Sequence, residues 1–403
     1  MSRCRIIWLY FFMIFSAFGN SQAFGQKAED YNVDLIPPNL KQRSNAVIRN
    51  ESTVVDMRSQ DNVILTVKQV ITVLNKNAER NAALVLHYDQ NTSIRSVKGQ
   101  ILNASGNLTG KFSLSNFIDQ SAVSNFSLYE DSRIKYYNPS VHTYPYTVIY
   151  DYEVRFKQNL NIPTWYPIPD LNLSVEKSTY SFISKTEDKI RIKEYNYSGQ
   201  QQITEKDKTT TRTWQVSNQA ALYPEPYAKQ KDMLTRVKIA AQNFTYYGHA
   251  STYQNWEQLG KWIYDDLIKD RQQLNDKTTQ QIKALVKDAG SDKEKAKRIY
   301  EYVQKKTRYI SVQVGIGGYQ PFPASEVDEL SYGDCKALVN YTQSLLKIAD
   351  INSYYCVVNA GDIKESLDPT FASMDQANHI ILCVPLKGDT TWLECTSQDT
   401  PYG

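Results

Sequence analysis

Hydrophobic and polar residues alternate through much of the first half of the chain, which predicts β-strands. The clearest stretch is residues 61–76 (DNVILTVKQVITVLNK), where aliphatic side chains recur at alternate positions for most of its length. Turn-rich pieces separate it from further strand candidates at residues 83–88, 93–102, 146–156, 179–184, 189–195 and 209–216. These short strands without a helical period predict an antiparallel β-sandwich over about residues 45–217.

The pattern changes after residues 218–232 (NQAALYPEPYAKQKD), which carry two prolines and no period. Helical spacing follows in residues 252–270 and, more weakly, in 278–287. The sequence SDKE at 291–294 is a capping box that begins another predicted helix. We therefore predict an α+β protein, with a β-rich domain over residues 24–225 and a second, α+β domain over residues 226–403.

The first 23 residues have the composition of a targeting segment. Arg3 and Arg5 precede an apolar run at residues 6–18, and small residues lead up to Ala23. This arrangement predicts a secretory signal peptide over residues 1–23, cleaved after Ala23; a retained anchor is the alternative. No later stretch approaches the ~18 apolar residues of a membrane span. We therefore expect an exported protein, periplasmic or secreted, with no transmembrane segment after cleavage.

Charge and composition exclude several classes of partner. The 46 basic and 43 acidic residues are nearly balanced, which gives no support for a nucleic-acid partner. Five cysteines and four histidines leave little material for metal centres, and no acidic clustering indicates calcium. We expect neither a metal nor another cofactor. The glycines in GIGG (315–318) lack the Lys-Ser/Thr and the strand-to-helix context of a phosphate-binding loop.

The richest candidate chemistry lies around Cys335, in the tract YGDCKALVNY. Apolar residues at helical spacing follow this cysteine, so it is predicted in the first turn of a helix. Backbone N–H groups and the helix dipole stabilise a thiolate there. Asp334 opposes that effect and Lys336 partly offsets it, so a reactive cysteine would need a base. A buried structural thiol is the alternative.

His379 opens a predicted strand at residues 378–385 (NHIILCVP), and a second strand follows at residues 389–395 (DTTWLEC). If these strands pair so that His379 lies across from Glu394, the carboxylate can orient the imidazole. This predicts Cys335 as nucleophile, His379 as base and Glu394 as the orienting acid. The same register places residue 383 across from 390 and disfavours a disulfide between Cys383 and Cys395. A structural histidine and a surface glutamate are the alternatives.

The tracts GGYQPFPASEV, YGDCKALVNY, NHIILCVP and DTTWLECT resemble the transglutaminase-like superfamily, relatives of papain-type cysteine enzymes. The resemblance is specific over residues 308–396 and diffuse before 220. It is closer to exported bacterial proteins with an uncharacterised β-rich domain before the transglutaminase-like domain. The superfamily's order of Cys, His and acid implies a triad of Cys335, His379 and Glu394, although the acid is usually aspartate.

The resemblance also implies an oxyanion hole, with a side-chain donor upstream of the cysteine. Gln320 is the first candidate and Gln313 the second, and the backbone N–H of Cys335 would be the other donor. Relatives often continue into a further β domain, whereas this sequence ends nine residues after Glu394. A transglutaminase-like domain truncated at its C-terminus is therefore one of the expectations.

The expected function is that of an exported cysteine hydrolase or acyltransferase. It would act on an amide or isopeptide bond of a peptide, protein or cell-wall substrate through an acyl-thioester, as a protease, amidase or transamidase. The alternative is a catalytically silent module that binds a peptide or glycan, which the glutamate in place of aspartate favours. Oligomeric state is left open by the sequence.

Overall fold

Within the described residues, β-strands dominate the first part of the chain and helices packed on a small sheet make up the second, which confirms the predicted α+β class. The computed structural model describes residues 31–122, 127–223, 226–362 and 365–403. The predicted signal peptide, residues 1–23, lies outside the described residues. Within those residues, no helix is long and apolar enough to cross a bilayer.

Eight strands of the β-rich part form one large sheet, in the order β12-β13-β10-β1-β2-β9-β4-β5. Strands β3, β8 and β6 form a smaller sheet. The bounds in this part are β1 (Ala46–Ser59), β2 (Asn62–Val73), β3 (Leu84–Tyr88), β4 (Thr92–Leu102), β5 (Leu108–Ser113), β6 (Ile118–Ser121), β7 (Ser127–Glu130), β8 (Arg133–Tyr137), β9 (Tyr146–Phe156), β10 (Leu173–Lys185), β11 (Ile190–Tyr195), β12 (Gln202–Lys206) and β13 (Thr209–Gln219).

Each strand stretch proposed from the sequence coincides with an observed strand, and residues 61–76 contain β2. The large sheet is not wholly antiparallel, however, because β1 and β10 run parallel. Parallel neighbours need a crossover connection, and here the whole stretch from β2 to β9 supplies it. The sandwich arrangement stays a prediction.

Residues that follow the predicted domain boundary return to the β-rich part. Strand β14 (Arg236–Ala241) is buried along its whole length and pairs antiparallel with β11. Val237 and Ile239 pack there with Trp165 and with Trp214 of the large sheet. The boundary near residue 225 therefore remains a prediction, and the structure joins the residues on its two sides in one small sheet. The hairpin of β15 (Asn243–Tyr246) and β16 (His249–Thr252) follows.

The second part packs helices against a three-stranded sheet of order β20-β21-β22. The predicted N-cap is confirmed, because Ser291 accepts a hydrogen bond from the Glu294 backbone N–H at the start of the helix that begins at Asp292. The reciprocal bond of a capping box is not made, because the Glu294 carboxylate accepts the backbone N–H of Gly290 rather than that of Ser291. The α-helices within the described residues are α1 (Pro38–Lys41), α2 (Gln230–Met233), α3 (Trp256–Trp262), α4 (Asp276–Val286), α5 (Asp292–Lys306), α6 (Ala324–Leu330) and α7 (Cys335–Ile348). The remaining strands are β17 (Arg308–Tyr309), β18 (Ser311–Gln313), β19 (Tyr332–Gly333), β20 (Tyr354–Val358), β21 (His379–Leu386) and β22 (Asp389–Leu393).

Helix α7 is the centre of this second part. Most of its residues are buried, including polar ones such as Asn340 and Thr342. A helix that is buried all round must be enclosed by other elements. Its apolar side chains share one core with α4, α5, α6 and the strands β21 and β22. The first residue of this helix therefore has little freedom to move.

Asp328 links the helices around this core. Its carboxylate, on α6, accepts hydrogen bonds from Thr278 Oγ1 of α4 at 2.6 Å and Tyr341 Oη of α7 at 2.7 Å. It also forms an ion pair with Lys306 of α5. Burial raises the pKa of Asp328, but the three partners outweigh burial and hold it below its usual value. One side chain thus joins four helices.

We predict that Asp328→Ala lowers the free energy of unfolding by about 3 kcal/mol or more. The substitution leaves Lys306 and two hydroxyl groups without their acceptor in partly buried positions. Asp328→Asn keeps an acceptor and should cost less. Urea unfolding followed by circular dichroism measures both. The matched control is Asp389→Ala, which removes an exposed ion pair with Lys293 and should change stability far less than Asp328→Ala. Equal effects of Asp328→Ala and Asp389→Ala would contradict the assignment.

Candidate active site

Cys335 is the first residue of α7 and is 8% exposed. The preceding residue, Asp334, caps the helix by accepting the Ala337 backbone N–H at 3.0 Å, and its other oxygen pairs with Lys336. Lys336 therefore neutralises the carboxylate beside the thiol. Gly333 allows this tight start, because a Cβ there would lie 2.8 Å from the Cβ of Ala337. Close packing thus fixes the sulfur at the helix N-terminus.

His379 and Glu394 meet through their side chains. His379 is the first residue of β21, and its Nε2 lies 2.7 Å from Oε2 of Glu394. The second carboxylate oxygen of Glu394 accepts hydrogen bonds from the backbone N–H and the hydroxyl of Thr396. Both oxygens of the glutamate are therefore occupied, and the carboxylate is held in one orientation against the imidazole.

The strand register differs from the predicted one by two residues. Cys383 pairs with Trp392 rather than with residue 390, so His379 does not lie directly across from Glu394. Continuing this register would place His379 opposite Thr396. A shift of two residues keeps every side chain on its own face of the sheet, so the imidazole and the carboxylate still meet on a diagonal. The extra methylene of glutamate compared with aspartate suits this longer reach.

The pKa of His379 reflects both neighbours. Hydrogen bonding to the Cys335 side chain and then to Glu394 raises this pKa to about 9, against an opposing effect of burial. With Nε2 bonded to Glu394, Nδ1 is the nitrogen left to face the thiol. For Glu394, burial raises the pKa, but hydrogen bonds from His379 and Thr396 outweigh burial and lower it. The imidazolium form is therefore stabilised by this geometry.

Cys335 and His379 line a cavity of about 270 Å³. Its polar lining also includes Gln313 and Lys336, and Glu394 is not part of the lining. The remaining wall is largely apolar and comes from Ile263, Leu267, Tyr319, Tyr355, Val357, Met374 and Ile380, among others. A small cavity with apolar walls and a few convergent polar groups has the character of a ligand site. A larger polar cavity of about 660 Å³ near one end of the large sheet contains neither cysteine nor histidine.

The two candidate glutamines are placed differently. Gln313, at the end of β18, lines the cavity beside Cys335, whereas Gln320 is not among the lining residues. Gln320 follows the 3-10 turn at Gly315–Gly318, with its backbone N–H bonded to Ile316. The placement favours the second candidate over the first. The sequence offered no signal for this, because both glutamines flank the same glycine-rich turn.

The β-rich part reaches this site. Strand β7 pairs in parallel with β18, the strand that carries Gln313, and Asp131 accepts the backbone N–H of Gly315 at 3.1 Å. Sequence reasoning missed this contact, as well as the support that Thr396 gives to Glu394. Only the contact with Thr396 could have been predicted from the local sequence. A hydroxyl two residues after a carboxylate can donate a hydrogen bond to it and so form a small turn. The β7–β18 pairing joins segments about 180 residues apart, so no pattern within either segment predicts it.

The described cysteines, at positions 335, 356, 383 and 395, are all free thiols. Within the described ranges, no three His, Cys, Asp or Glu side chains come together as a metal site would require. The described part of the cavity therefore presents thiol, imidazole, amide and ammonium groups to a ligand.

Comparisons with known proteins agree with this fold. Residues 60–223 match the family model of a domain of unknown function, DUF3857, which is less than half of the chain. No curated protein matches the sequence. A crystal structure of a candidate protease from Parabacteroides distasonis superposes with a TM-score of 0.67 at 14% identity, over 89% of this chain and 68% of that one. This similarity shows a shared fold.

Two other solved structures superpose less well. A candidate cysteine protease from Cytophaga hutchinsonii has a TM-score of 0.24 at 8% identity, over 83% of this chain and 76% of that one. Aminopeptidase A from Legionella pneumophila has a TM-score of 0.27 at 12% identity, over 51% of this chain and 23% of that one. Superpositions at this level support no conclusion about the fold or the chemistry of this chain.

We predict that Glu394→Gln lowers the pKa of His379 from about 9 toward the ordinary value of 6.5, because the carboxylate charge is lost. NMR titration of the histidines measures it, with the exposed Glu257→Gln as control. An unchanged His379 titration in Glu394→Gln would contradict the pairing.

The same shift predicts a pH dependence of stability. Folding raises the pKa of His379, so its contribution is fully present below pH 6.5 and is lost as the pH rises through about 9. The free energy of unfolding should therefore fall over this interval, by up to about 3 kcal/mol from this residue. The fall should be smaller in Glu394→Gln, and equal slopes in the two proteins would count against the assignment.

Proposed function

We propose that this protein is a cysteine hydrolase or acyltransferase that cleaves an amide bond of a peptide or protein. The observation that carries the proposal is the juxtaposition of Cys335 and His379 in one cavity, with Glu394 hydrogen-bonded to the far nitrogen of the imidazole. Nucleophile, base and orienting acid in this order are the minimal set for covalent acyl transfer. The shared fold with the Parabacteroides candidate protease supports the same reaction class.

The proposed reaction has two steps. His379 takes the thiol proton, the sulfur of Cys335 attacks the carbonyl carbon, and the imidazolium then gives its proton to the departing amine as the C–N bond breaks. An acyl-thioester remains on Cys335. Water, or a second amine, gives a proton to His379 and attacks the thioester, which releases the acid or a new amide and restores the thiol.

Gln313 is proposed to help stabilise the oxyanion of the tetrahedral intermediate. Its side-chain amide belongs to the lining of the cavity that holds Cys335, and the backbone N–H of Cys335 at the N-terminus of α7 is the second proposed donor. Two donors that are fixed before the reaction favour the developing negative charge over the neutral carbonyl.

We also propose that the second part of the chain belongs to the transglutaminase-like superfamily and that the protein works outside the cytoplasm. The sequence motifs around Cys335, His379 and Glu394 support the first point. The arginines, apolar run and small residues at positions 1–23 support the second. The substrate would then be a peptide, a protein or an amide of the cell wall.

The proposal predicts a selectively reactive thiol. Iodoacetamide at neutral pH should label Cys335 before the other cysteines, and His379→Ala should slow this labelling at least about tenfold, because the base is lost. Peptide mass mapping identifies the labelled site. Cys383→Ala, on the same strand as His379, is the matched control and should leave the labelling of Cys335 unchanged.

In assays with a fluorogenic peptide library, Cys335→Ala should lower kcat/KM by roughly a thousandfold or more. Full activity in this variant would overturn the proposal. A slow labelling of Cys335 that does not depend on His379, together with saturable peptide binding, would select a binding module instead.

The two glutamines give a second prediction. Gln313→Ala should lower kcat by about a hundredfold with little change in KM, because an oxyanion donor acts mainly in the transition state. Gln320→Ala, seven residues further along the chain and outside the lining of the cavity, should change kcat less than about threefold. Steady-state kinetics on one substrate compare the two variants. A larger loss with Gln320→Ala would reverse the assignment.

A further inference from the structure

A second cavity, of about 380 Å³, lies between the β-rich part and the hairpin of β15 and β16. It adjoins the catalytic cavity. Tyr319 lines the catalytic cavity, and its hydroxyl accepts a hydrogen bond at 2.9 Å from Nδ2 of Asn161, which lines the second. Met374 lines the first cavity and the next residue, Asp375, lines the second. Tyr319 and the turn that contains Met374 and Asp375 thus separate the two cavities.

Two polar atoms at this second cavity have no partner within the described residues. Asn91 is 8% exposed, and its Nδ2 makes no hydrogen bond. Oδ1 of Asn161 is likewise buried and unbonded. Buried polar atoms without partners are uncommon, because each loses its hydration without compensation. One unmet donor and one unmet acceptor match the C=O and N–H of a peptide main chain.

The charge at the same cavity is negative. Oδ1 of Asp89 accepts the backbone N–H groups of its own turn, and Oδ2 accepts the hydroxyl of Tyr247 at 3.1 Å. Within the described part of the chain, Asp89 has no ion pair, whereas Asp375 pairs with Lys238 at 2.8 Å. Burial and then the charges of Asp89 and Asp131 raise the pKa of Tyr247, which agrees with a negative field.

Two aromatic rings lie beside this charge. Tyr246 and Tyr247 both line the cavity, their ring centroids are 4.8 Å apart, and Tyr246 also packs on Tyr319 at 4.9 Å. A carboxylate next to aromatic faces attracts a lysine or arginine side chain through the ion pair and the ring quadrupoles. Neither feature favours an acidic or a purely apolar ligand.

We propose that this cavity is a subsite for a basic residue of an extended peptide, with Asn91 and Asn161 binding the peptide main chain and Asp89 binding the lysine or arginine side chain. Given the proposed function, such a peptide would continue into the catalytic cavity, and basic peptides or proteins would be the substrate class. Peptide binding at the subsite does not itself require catalysis.

The test uses acetylated and amidated alanine hexapeptides with one arginine at each position in turn, and the same peptides with neutral citrulline. Binding to the full chain that carries Cys335→Ala is measured by isothermal titration calorimetry, so no turnover occurs. We expect at least one arginine peptide to bind about tenfold more tightly than its citrulline partner. Equal affinities throughout, or no binding by any peptide, would overturn the proposal without recourse to a variant.

Variants then locate the site. Asp89→Asn keeps an acceptor for the turn and should abolish the preference for arginine, and Asn91→Ala should weaken the arginine and citrulline peptides alike. Asp188→Asn, an acid of the neighbouring 660 Å³ cavity that Asn91 also lines, is the matched control and should leave the preference intact. Loss of the preference in Asp188→Asn but not in Asp89→Asn would place the peptide elsewhere and overturn the assignment.

Failure of the subsite and failure of the proposed function are distinguishable. Arginine-dependent binding with an unreactive Cys335 would keep the subsite and reject the enzyme. A reactive Cys335 and turnover of peptides, with no preference for arginine in binding, would keep the enzyme and reject the subsite.

Discussion

The enclosure of helix α7 is the constraint on which the candidate site depends. A helix packed on every side cannot slide or rotate without opening the core, so its first residue is fixed relative to everything that surrounds it. The close contact between Gly333 and Ala337 and the cap formed by Asp334 define where the helix starts. Packing of the helix fixes the position of the Cys335 sulfur, and the thiol itself contacts only the imidazole of His379 among the proposed triad residues.

The imidazole is held in a different way, by hydrogen bonds at the end of a sheet. The ladder between β21 and β22 ends before it reaches His379, so the ring depends on Glu394 for its orientation. Glu394 in turn depends on Thr396. A rigid helix on one side and a hydrogen-bonded chain of side chains on the other thus meet at one cavity.

The sequence predicted the parts of this site that have local causes. Cys335 follows a turn and precedes a run at helical spacing, and His379 and Glu394 flank two short strands joined by Lys387 and Gly388. The register of those strands could not be read in the same way, because a shift of two residues leaves the alternation of faces unchanged. The predicted triad required only the shared face, so the error in register did not affect it.

Other features had no local cause. The choice between Gln313 and Gln320 depends on how β18 meets β7, and the cavity beside Asn91 depends on the packing of segments far apart in sequence. The parallel pairing of β1 and β10 is of the same kind. Hydrophobic periodicity describes one element at a time, whereas these features are properties of pairs of elements.

Strand β14 adds a temporal constraint to this architecture. As a chain leaves the ribosome, its N-terminal end becomes available first, yet β11 finds its partner only after Arg236–Ala241 have emerged. Until then the tryptophans at positions 165 and 214 lack their packing contacts with β14, and the backbone of β11 is an unpaired strand edge. The β-rich part therefore cannot complete its core before residues 236–241 are present to pair with β11.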